Sequence, residues 1–286
     1  MKRIKIPFIK YNSTGNDFII VDNRRMALKN RVVVPFSRTA CRPRTGIGAD
    51  GLLLLEKSRK SDFTMRIINA DGSEAEMCGN GSRAIAHFAR SIKAAGKKME
   101  FDTLAGLIRA EIRGDQAVKV ELTKPFGLRK GLRIGQGEKA REGYFLNTGV
   151  PHVVLFMDDL EDLDVFKTGR FIRYHDLFKP AGTNVNFVRI ISRHSIEVRT
   201  YERGVENETL ACGTGATASA ILSSLIKGTL SPVTVRTRGR EILKIYFRIG
   251  QGDRISQVFL EGRVLPVFSG VTEFDGKILR TSGSAV

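Results

Sequence analysis

Two cysteines stand out by the residues on their C-terminal side. Cys78 runs into Gly79-Asn80-Gly81, and Cys212 runs into Gly213-Thr214-Gly215. Behind the first, Ile85, Phe88, Ala89 and Ile92 recur at helical spacing while Arg83, His87 and Arg90 take the other face. Behind the second, Ala218, Ile221, Leu222 and Leu225 repeat that spacing. Each cysteine is therefore predicted at a helix start. There, four main-chain N–H groups lack intrahelical acceptors and the positive end of the dipole favours a thiolate or a carboxylate. Lys93 with Gly96, and Lys227 with Gly228, supply the matching C-terminal stops. So short a repeat suggests, without proving, duplicated halves.

The chemistry open to such a pair is the inversion of a carbon centre. One group removes a proton from one face and another delivers a proton to the opposite face. Two similar halves facing each other across a cleft would bring a carrier to each side. Helix N-termini aimed at a substrate carboxylate would stabilise the charge that develops as the proton leaves. The same dipoles would lower a thiol pKa, so that one sulfur is thiolate while the other stays protonated. The competing structural reading is a disulfide between Cys78 and Cys212. Cys41 lacks the glycine-rich setting and reads as a packing residue. Gly79-x-Gly81-x-x-Ala84 and Gly213-x-Gly215-x-x-Ala218 also fit a relaxed dinucleotide fingerprint. The match is weak, because residues 208–211 are too short for the buried strand it expects and strands and helices do not alternate.

A chain of 286 residues has room for about two domains, and at 42% apolar composition it can fill two cores. No apolar run approaches the ~20 residues of a membrane span, and the N-terminal stretch carries no signal-like apolar segment. Three cysteines without a C-x-x-C pair fit a reducing cytoplasm better than a disulfide framework, and with four scattered histidines they give no metal-ligand cluster. The net charge is +17, with denser patches at 38–44, 129–141 and 236–248. Nucleic-acid binding is the sharp reading of that balance. The absence of Trp, of an aromatic RNA-binding motif and of a basic tail favours a solvated basic surface that attracts small anions.

The elements that must hold the cysteines are mostly short strands. They are predicted at 4–11, 18–22, 52–56, 63–67, 99–103, 107–113 and 117–122 in the first half. In the second half they fall at 144–147, 153–157, 185–191, 196–201, 233–237, 242–248 and 257–261. A short helix over 36–42 is limited by Pro35 and Pro43, and 166–173 is helical. Residues 124–142, rich in Gly, Lys and Arg with little periodicity, read as the link between domains 1–125 and 126–264. The tail beyond 270 is weakly patterned and expected to fray from 281 to 286, with 265–286 packing back on the first half. The sum is an α+β chain, each half a curved sheet on one strong helix.

At these residues the chain resembles the diaminopimelate epimerase family of pyridoxal-phosphate-independent amino-acid racemases. The resemblance is carried by Gly15-Asn16-Asp17-Phe18, Gly46-Ile47-Gly48-Ala49-Asp50, Asn69-Ala70-Asp71-Gly72-Ser73 and Met77-Cys78-Gly79-Asn80-Gly81. It continues through Gly182-Thr183-Asn184-Val185-Asn186-Phe187, Tyr201-Glu202-Arg203-Gly204 and Ala211-Cys212-Gly213-Thr214-Gly215. It implies two pseudo-symmetric halves, each a barrel-like sheet around a central helix. It also implies cofactor-independent interconversion of LL- and meso-2,6-diaminopimelate, a step in lysine and peptidoglycan precursor biosynthesis. Cys78 and Cys212 would be the acid/base pair. Gly79, Asn80, Gly213 and Thr214 would hold the reacting carboxylate; Asn16, Asn69, Asn184, Glu202 and Arg203 would recognise the distal end; His152 would support the cysteines. The family commonly has Asn before Pro-His, where this chain has Val150-Pro151-His152, so one substrate contact is either missing or replaced by Asn147 or Thr148. Cys41-Arg42-Pro43-Arg44-Thr45-Gly46 and Gly262-Arg263-Val264 also depart from the family pattern. A racemase of another amino acid, such as histidine, and a basic nucleic-acid-binding module are the alternatives. The sequence does not decide between a monomer and a homodimer.

Overall fold

In a computed structural model, which describes residues 3–26, 28–135, 137, 140–276 and 279–285, the chain divides into two units. One comprises Met1–Val120 and Gly262–Val286, the other Glu121–Glu261. In the first unit the period-two runs become β1 (Ile4–Ser13), β2 (Asn16–Asp22), β3 (Gly51–Glu56), β4 (Phe63–Asn69), β5 (Glu74–Ala75), β6 (Lys98–Thr103), β7 (Gly106–Ile112) and β8 (Ala117–Glu121). Helices α1 (Asn30–Ala40) and α2 (Gly79–Ser91) lie between them. The second unit holds β9 (Phe126–Ile134), β10 (Arg141–Asn147), β11 (Pro151–Phe156), α3 (Val165–Arg173), β12 (Asn184–Ser192) and β13 (Ser195–Glu202). It continues with β14 (Asn207–Thr209), α4 (Gly213–Lys227), β15 (Val233–Thr237), β16 (Ile242–Gly250) and β17 (Arg254–Arg263). Strands β18 (Leu265–Phe274) and β19 (Leu279–Ala285) belong to the first unit.

The two units share one order of pairing. In the first, β1–β2 is antiparallel, β2–β3 parallel across α1, β3–β4 antiparallel, β4–β6 parallel across α2, and β6–β7–β8 antiparallel. In the second, β10–β11 is antiparallel, β11–β12 parallel across α3, β12–β13 antiparallel, β13–β15 parallel across α4, and β15–β16–β17 antiparallel. The short strands β5 and β14 flank β4 and β13 alike, and β18 lies beside β1 as β9 lies beside β10. The duplication hinted at by two short motifs therefore runs through the whole topology.

Each unit wraps its sheet around the helix that begins at the cysteine. Helix α2 packs against β1, β2, β3, β4 and β7, and α4 against β10, β11, β12, β13, β15 and β16. A helix enclosed on most sides loses its polar face, so Gly81–Ala86 and then Phe88 and Ala89 are buried in α2, as are residues 215–223 in α4. The small residues Ala216, Ala218, Ser219 and Ala220 let strands approach α4 closely, while Ile221 and Leu222 reach the core. Each fully buried aliphatic side chain of that kind stabilises the fold by about 1.5–3 kcal/mol.

Three sequence expectations need correction. Helix α1 begins at Asn30 and carries Pro35 inside it, whereas a local proline rule confines the helix to 36–42. Its buried face of Val32, Val33, Phe36, Ser37 and Ala40 outweighs the roughly 3 kcal/mol penalty of an internal proline. The expected link at 124–142 contains β9, whose residues are mostly solvent-facing, so no alternation marks it. The tail does not fray at 281: Leu279–Ala285 pairs with β18 through main-chain bonds that need no side-chain pattern, while Val286 lies outside the described residues. A smaller difference concerns α2, which stops at Ser91 with Lys93 in the left-handed region (φ 57°), ahead of Gly96. Helix α4 does end on Gly228, left-handed at φ 73°.

Candidate active site

Both cysteines are N-caps. Cys78 has φ −144° and ψ 116°, Cys212 has φ −134° and ψ 112°, and each sulfur accepts a hydrogen bond from the main-chain N–H three residues on. Gly81 donates to Cys78 and Gly215 to Cys212, both at 3.4 Å. Gly79 and Gly213 are the first helical residues, so their N–H groups have no partner within the helix. All three cysteines are free thiols; Cys41 is buried at the end of α1, in keeping with packing.

The charge balance at the sulfurs differs from the expectation of lowered pKa values. Burial pushes the Cys78 thiol up, against smaller downward pulls from the Gly81 and Asn80 N–H groups and the Arg83 guanidinium. Burial, reinforced by the Glu202 carboxylate, pushes Cys212 up to about 11, against the Thr214 hydroxyl and the Gly215 and Thr214 N–H groups. Loss of water around a sulfur outweighs the helix-start donors in both places.

In the first unit, Arg83 is fully buried and donates to Thr14 Oγ1 (2.6 Å), Asn80 Oδ1 (2.7 Å) and Gly79 O (3.2 Å). Asn80 in turn donates to Asn16 Oδ1, and Asn16 Nδ2 donates to Asp50 Oδ2 (3.1 Å). Asp50 Oδ2 also accepts from the Asp17 N–H (2.9 Å), so Asp50 anchors the turn that carries Asn16. Asn69 ends β4, with Nδ2 on Ser73 Oγ (2.9 Å). Asn16 and Asn80 are thus tied to the Cys78 helix start, and the Asn69 loop joins the same network through the main chain, the Ala70 N–H donating to Asp50 O (3.1 Å).

In the second unit, Asn184 Nδ2 donates to Pro151 O (2.8 Å) and its Oδ1 accepts the Arg203 N–H (2.8 Å), tying the β11 entry to the turn after β13. The Arg203 side chain donates to Ala181 O (3.1 Å) and, among the described residues, forms no ion pair. Burial pushes the half-buried Glu202 carboxyl up. His152 is fully buried; burial, then the nearby Arg203 charge, lowers its pKa to about 3, so the ring is neutral in ordinary buffers. Asn147 and Thr148 are engaged locally: Asn147 Oδ1 accepts the Gly149 N–H (2.9 Å), and buried Thr148 donates its hydroxyl to Thr214 O (2.9 Å). Thr148 therefore braces the α4 start, while the Asn147 amide oxygen is held by its own turn.

Asn186 Nδ2 lies 3.0 Å from His152 Nδ1, and its Oδ1 accepts from Thr200 Oγ1 (3.0 Å). Sequence reasoning does not single out Asp50, Arg83, Asn186 or Thr200. Asp50 and Asn186 lie inside quoted motifs, and alternation along a strand places Asn186 on the same face as Asn184. Arg83 reads as part of the polar face, since nothing local shows that α2 is enclosed by strands. Among the described residues no group of His, Cys, Asp and Glu could hold a metal ion, and no helix is long and apolar enough to cross a membrane.

Two helices, each wrapped by a sheet of the same strand order, define a class of fold that the chain shares with solved structures of otherwise different sequence. The chain superposes on a phenazine biosynthesis protein of the PhzF family from Bacillus anthracis with a TM-score of 0.69, at 13% identity and full coverage of both chains. It superposes on a hydroxyproline epimerase from Agrobacterium vitis with a TM-score of 0.65, at 13% identity, covering 95% of this chain and 93% of that one. The sequence profile of diaminopimelate epimerase matches residues 8–126 and 144–253. A diaminopimelate epimerase of Aquifex aeolicus is 47% identical over 274 residues, 92% of this chain and 96% of the relative. One of Hydrogenobaculum sp. is 45% identical over 277 residues, 93% and 98% of the two chains. The chain belongs to the diaminopimelate epimerase family.

Proposed function

We propose that the protein interconverts LL- and meso-2,6-diaminopimelate without a cofactor, using Cys78 and Cys212 as the acid/base pair. One thiolate takes the α-proton; the electron pair left on carbon delocalises into the α-carboxylate; the other thiol delivers its proton to the opposite face. The sulfurs leave the turnover with their protonation states exchanged. The N–H groups of Gly79, Asn80, Gly213 and Thr214 hold the reacting carboxylate where its charge grows. Asn16, Asn69 and Glu202 take up polar groups of the distal end, and Arg203 offers a bidentate contact to its carboxylate. Asn184 contributes by fixing the Arg203 main chain. His152, neutral and buried, supports the Cys212 side. The substrate is a small molecule, and the enzyme works in the cytoplasm.

The observation that carries this reading is the recurrence of one cysteine geometry, N-cap sulfur on a main-chain N–H, on topologically equivalent helices of a chain in this family. Reduced protein incubated with LL-diaminopimelate in deuterated water should place deuterium on the α-carbon of both stereoisomers. Active, reduced protein that leaves the α-carbon unlabelled counts decisively against it. Val150 keeps a second reading alive, the same chemistry on another amino acid such as histidine, which a panel of free amino acids under the same exchange assay separates.

A further inference from the structure

The two helix starts rest on chemically different floors. Register puts Phe18, Leu53 and Ile67 of the first unit at the places that His152, Asn186 and Thr200 hold in the second. Phe18 pairs with Gly51 as His152 pairs with Asn184, and Leu53 pairs with Ile67 as Asn186 pairs with Thr200. All six are buried. The glycine that donates to each sulfur lies on this floor. A Cβ on Gly81 would meet Leu53 Cδ2 at 3.2 Å, and one on Gly215 would meet Asn186 Oδ1 at 2.4 Å. The first floor is hydrocarbon and the second is a hydrogen-bonded network aimed at Cys212.

The direction of that network can be worked out atom by atom. Asn186 Nδ2 lies 3.2 Å from the carbonyl oxygen of Val153, which can only accept, so the nitrogen is on that side. Asn186 Oδ1 accepts from Thr200 Oγ1 at 3.0 Å, consistent with that orientation. The same Nδ2 faces His152 Nδ1 at 3.0 Å, so Nδ1 is the acceptor and the hydrogen of the neutral ring sits on Nε2. Nε2 lies 2.9 Å from Thr214 Oγ1 and donates to it. The Thr214 hydroxyl then directs its own hydrogen to its remaining neighbour, Cys212 Sγ, at 3.4 Å.

We propose that Asn186, backed by Thr200, is a positioning residue for Cys212: it fixes the His152 tautomer and thereby turns the Thr214 hydroxyl hydrogen onto the sulfur. Cys212 as thiolate then has two donors, Gly215 N–H and Thr214 O–H. At Cys78 the residue in Thr214's place is Asn80, whose amide is bonded to Arg83 and Asn16. The help is one-sided, and it falls on the sulfur that Glu202 disfavours as an anion. The charged groups facing this chain, Glu202 beside Cys212 and Arg203 beside His152, lie outside it and are untouched by changes at 186 or 214. The inference rests on the reading of Cys212 as a working thiol, but its test needs no turnover.

The first arm is nitrogen NMR of histidine-labelled wild type, with the His152 signals assigned by their loss in His152→Gln. Nε2 should carry the hydrogen and Nδ1 none, unchanged from about pH 6 to about pH 9. The second arm is the rate of alkylation of Cys212 by iodoacetamide at fixed pH, read by peptide mass, with Cys78 as internal control of the fold. Thr214→Val should slow Cys212 about tenfold, the loss of one hydrogen bond to an anion, and Thr214→Ser should restore it. Asn186→Asp accepts from Nδ1–H; at a pH where nitrogen NMR shows the ring of that variant neutral, Nε2 becomes the acceptor and Cys212 should slow comparably. The double variant should be no slower than Thr214→Val alone, because the two residues act in series. A hydrogen on Nδ1 in wild type, wild-type alkylation in Thr214→Val, or losses that multiply in the double variant would each overturn the proposal. If Asn186→Asp does not fold, the wild-type NMR and the Thr214 pair still decide. Deuterium exchange failing while these results hold would remove the assigned reaction and leave the relay standing.

Discussion

At the scale of single residues, the sulfurs and the distal-end contacts predict different kinetic signatures. On the proposed acid/base roles, Cys78→Ala and Cys212→Ala should each lower kcat on the order of 10²–10⁴-fold, with circular dichroism unchanged because both side chains are half-buried caps. Wild-type turnover in either variant removes that cysteine from the mechanism. Arg203→Lys loses the planar fork while keeping the charge, so KM should rise roughly tenfold to a hundredfold with a smaller change in kcat. Glu202, proposed to take a substrate ammonium, also raises the pKa of the Cys212 thiol through its carboxylate. In Glu202→Gln the upward push is gone, the thiolate fraction at a given pH grows, and the pH midpoint of Cys212 alkylation should move down. A midpoint that stays or rises would refute that electrostatic assignment.

At the scale of elements, the starts of α2 and α4 share a backbone and differ in what lies beneath. Alanine at Gly215 would place Cβ 2.4 Å from Asn186 Oδ1, inside a network with no slack, whereas alanine at Gly81 meets the end of the Leu53 side chain at 3.2 Å. Gly215→Ala should therefore cost about 2–3 kcal/mol and slow Cys212 alkylation, while Gly81→Ala should cost under about 1 kcal/mol. Thermal denaturation with alkylation mapping tests this, and equal costs would mean that the floors do not differ mechanically. Most strands are readable in the sequence because alternation survives wherever one face is buried. β9 and β19 escape such a reading because an exposed ribbon, or one held by main-chain bonds, need not alternate. Helix α1 reads too short because a proline rule is local, while the buried face that overrides it is assembled from β4 and the core residues around Phe274.

At the scale of the whole molecule, two bulk properties make predictions. Diaminopimelate carries two ammonium and two carboxylate groups near neutrality, so a chain of net charge +17 has no net substrate charge to steer. The value of kcat/KM should change less than about threefold between dilute buffer and about 0.5 M salt; a steep fall would point to an anionic substrate or to the nucleic-acid reading. The second property is alkaline stability. Burial raises the Cys41 thiol from about 9 to about 11, so above pH 9 the unfolded chain releases a proton that the folded chain keeps. Stability is then lost as pH rises from the unfolded to the folded value, by about 2–3 kcal/mol over that interval. The denaturation midpoint of the wild type should fall toward that of Cys41→Ala from pH 9 to pH 11; a constant gap would refute the assignment.

The sequence by itself determined the two cysteines, the helices they cap, the α+β class and the family, because each of these is written in local spacing or in contiguous motifs. Only the tertiary structure decided that the halves repeat strand by strand, that Arg83 is enclosed, and that Asn186 lies beneath Gly215. Those facts depend on which strands pair and in what register, and a strand's partner is set by burial and hydrogen bonding across long stretches of chain. The sequence thus names the sulfurs, while the pairing of β11, β12 and β13 decides which polar atoms surround one of them.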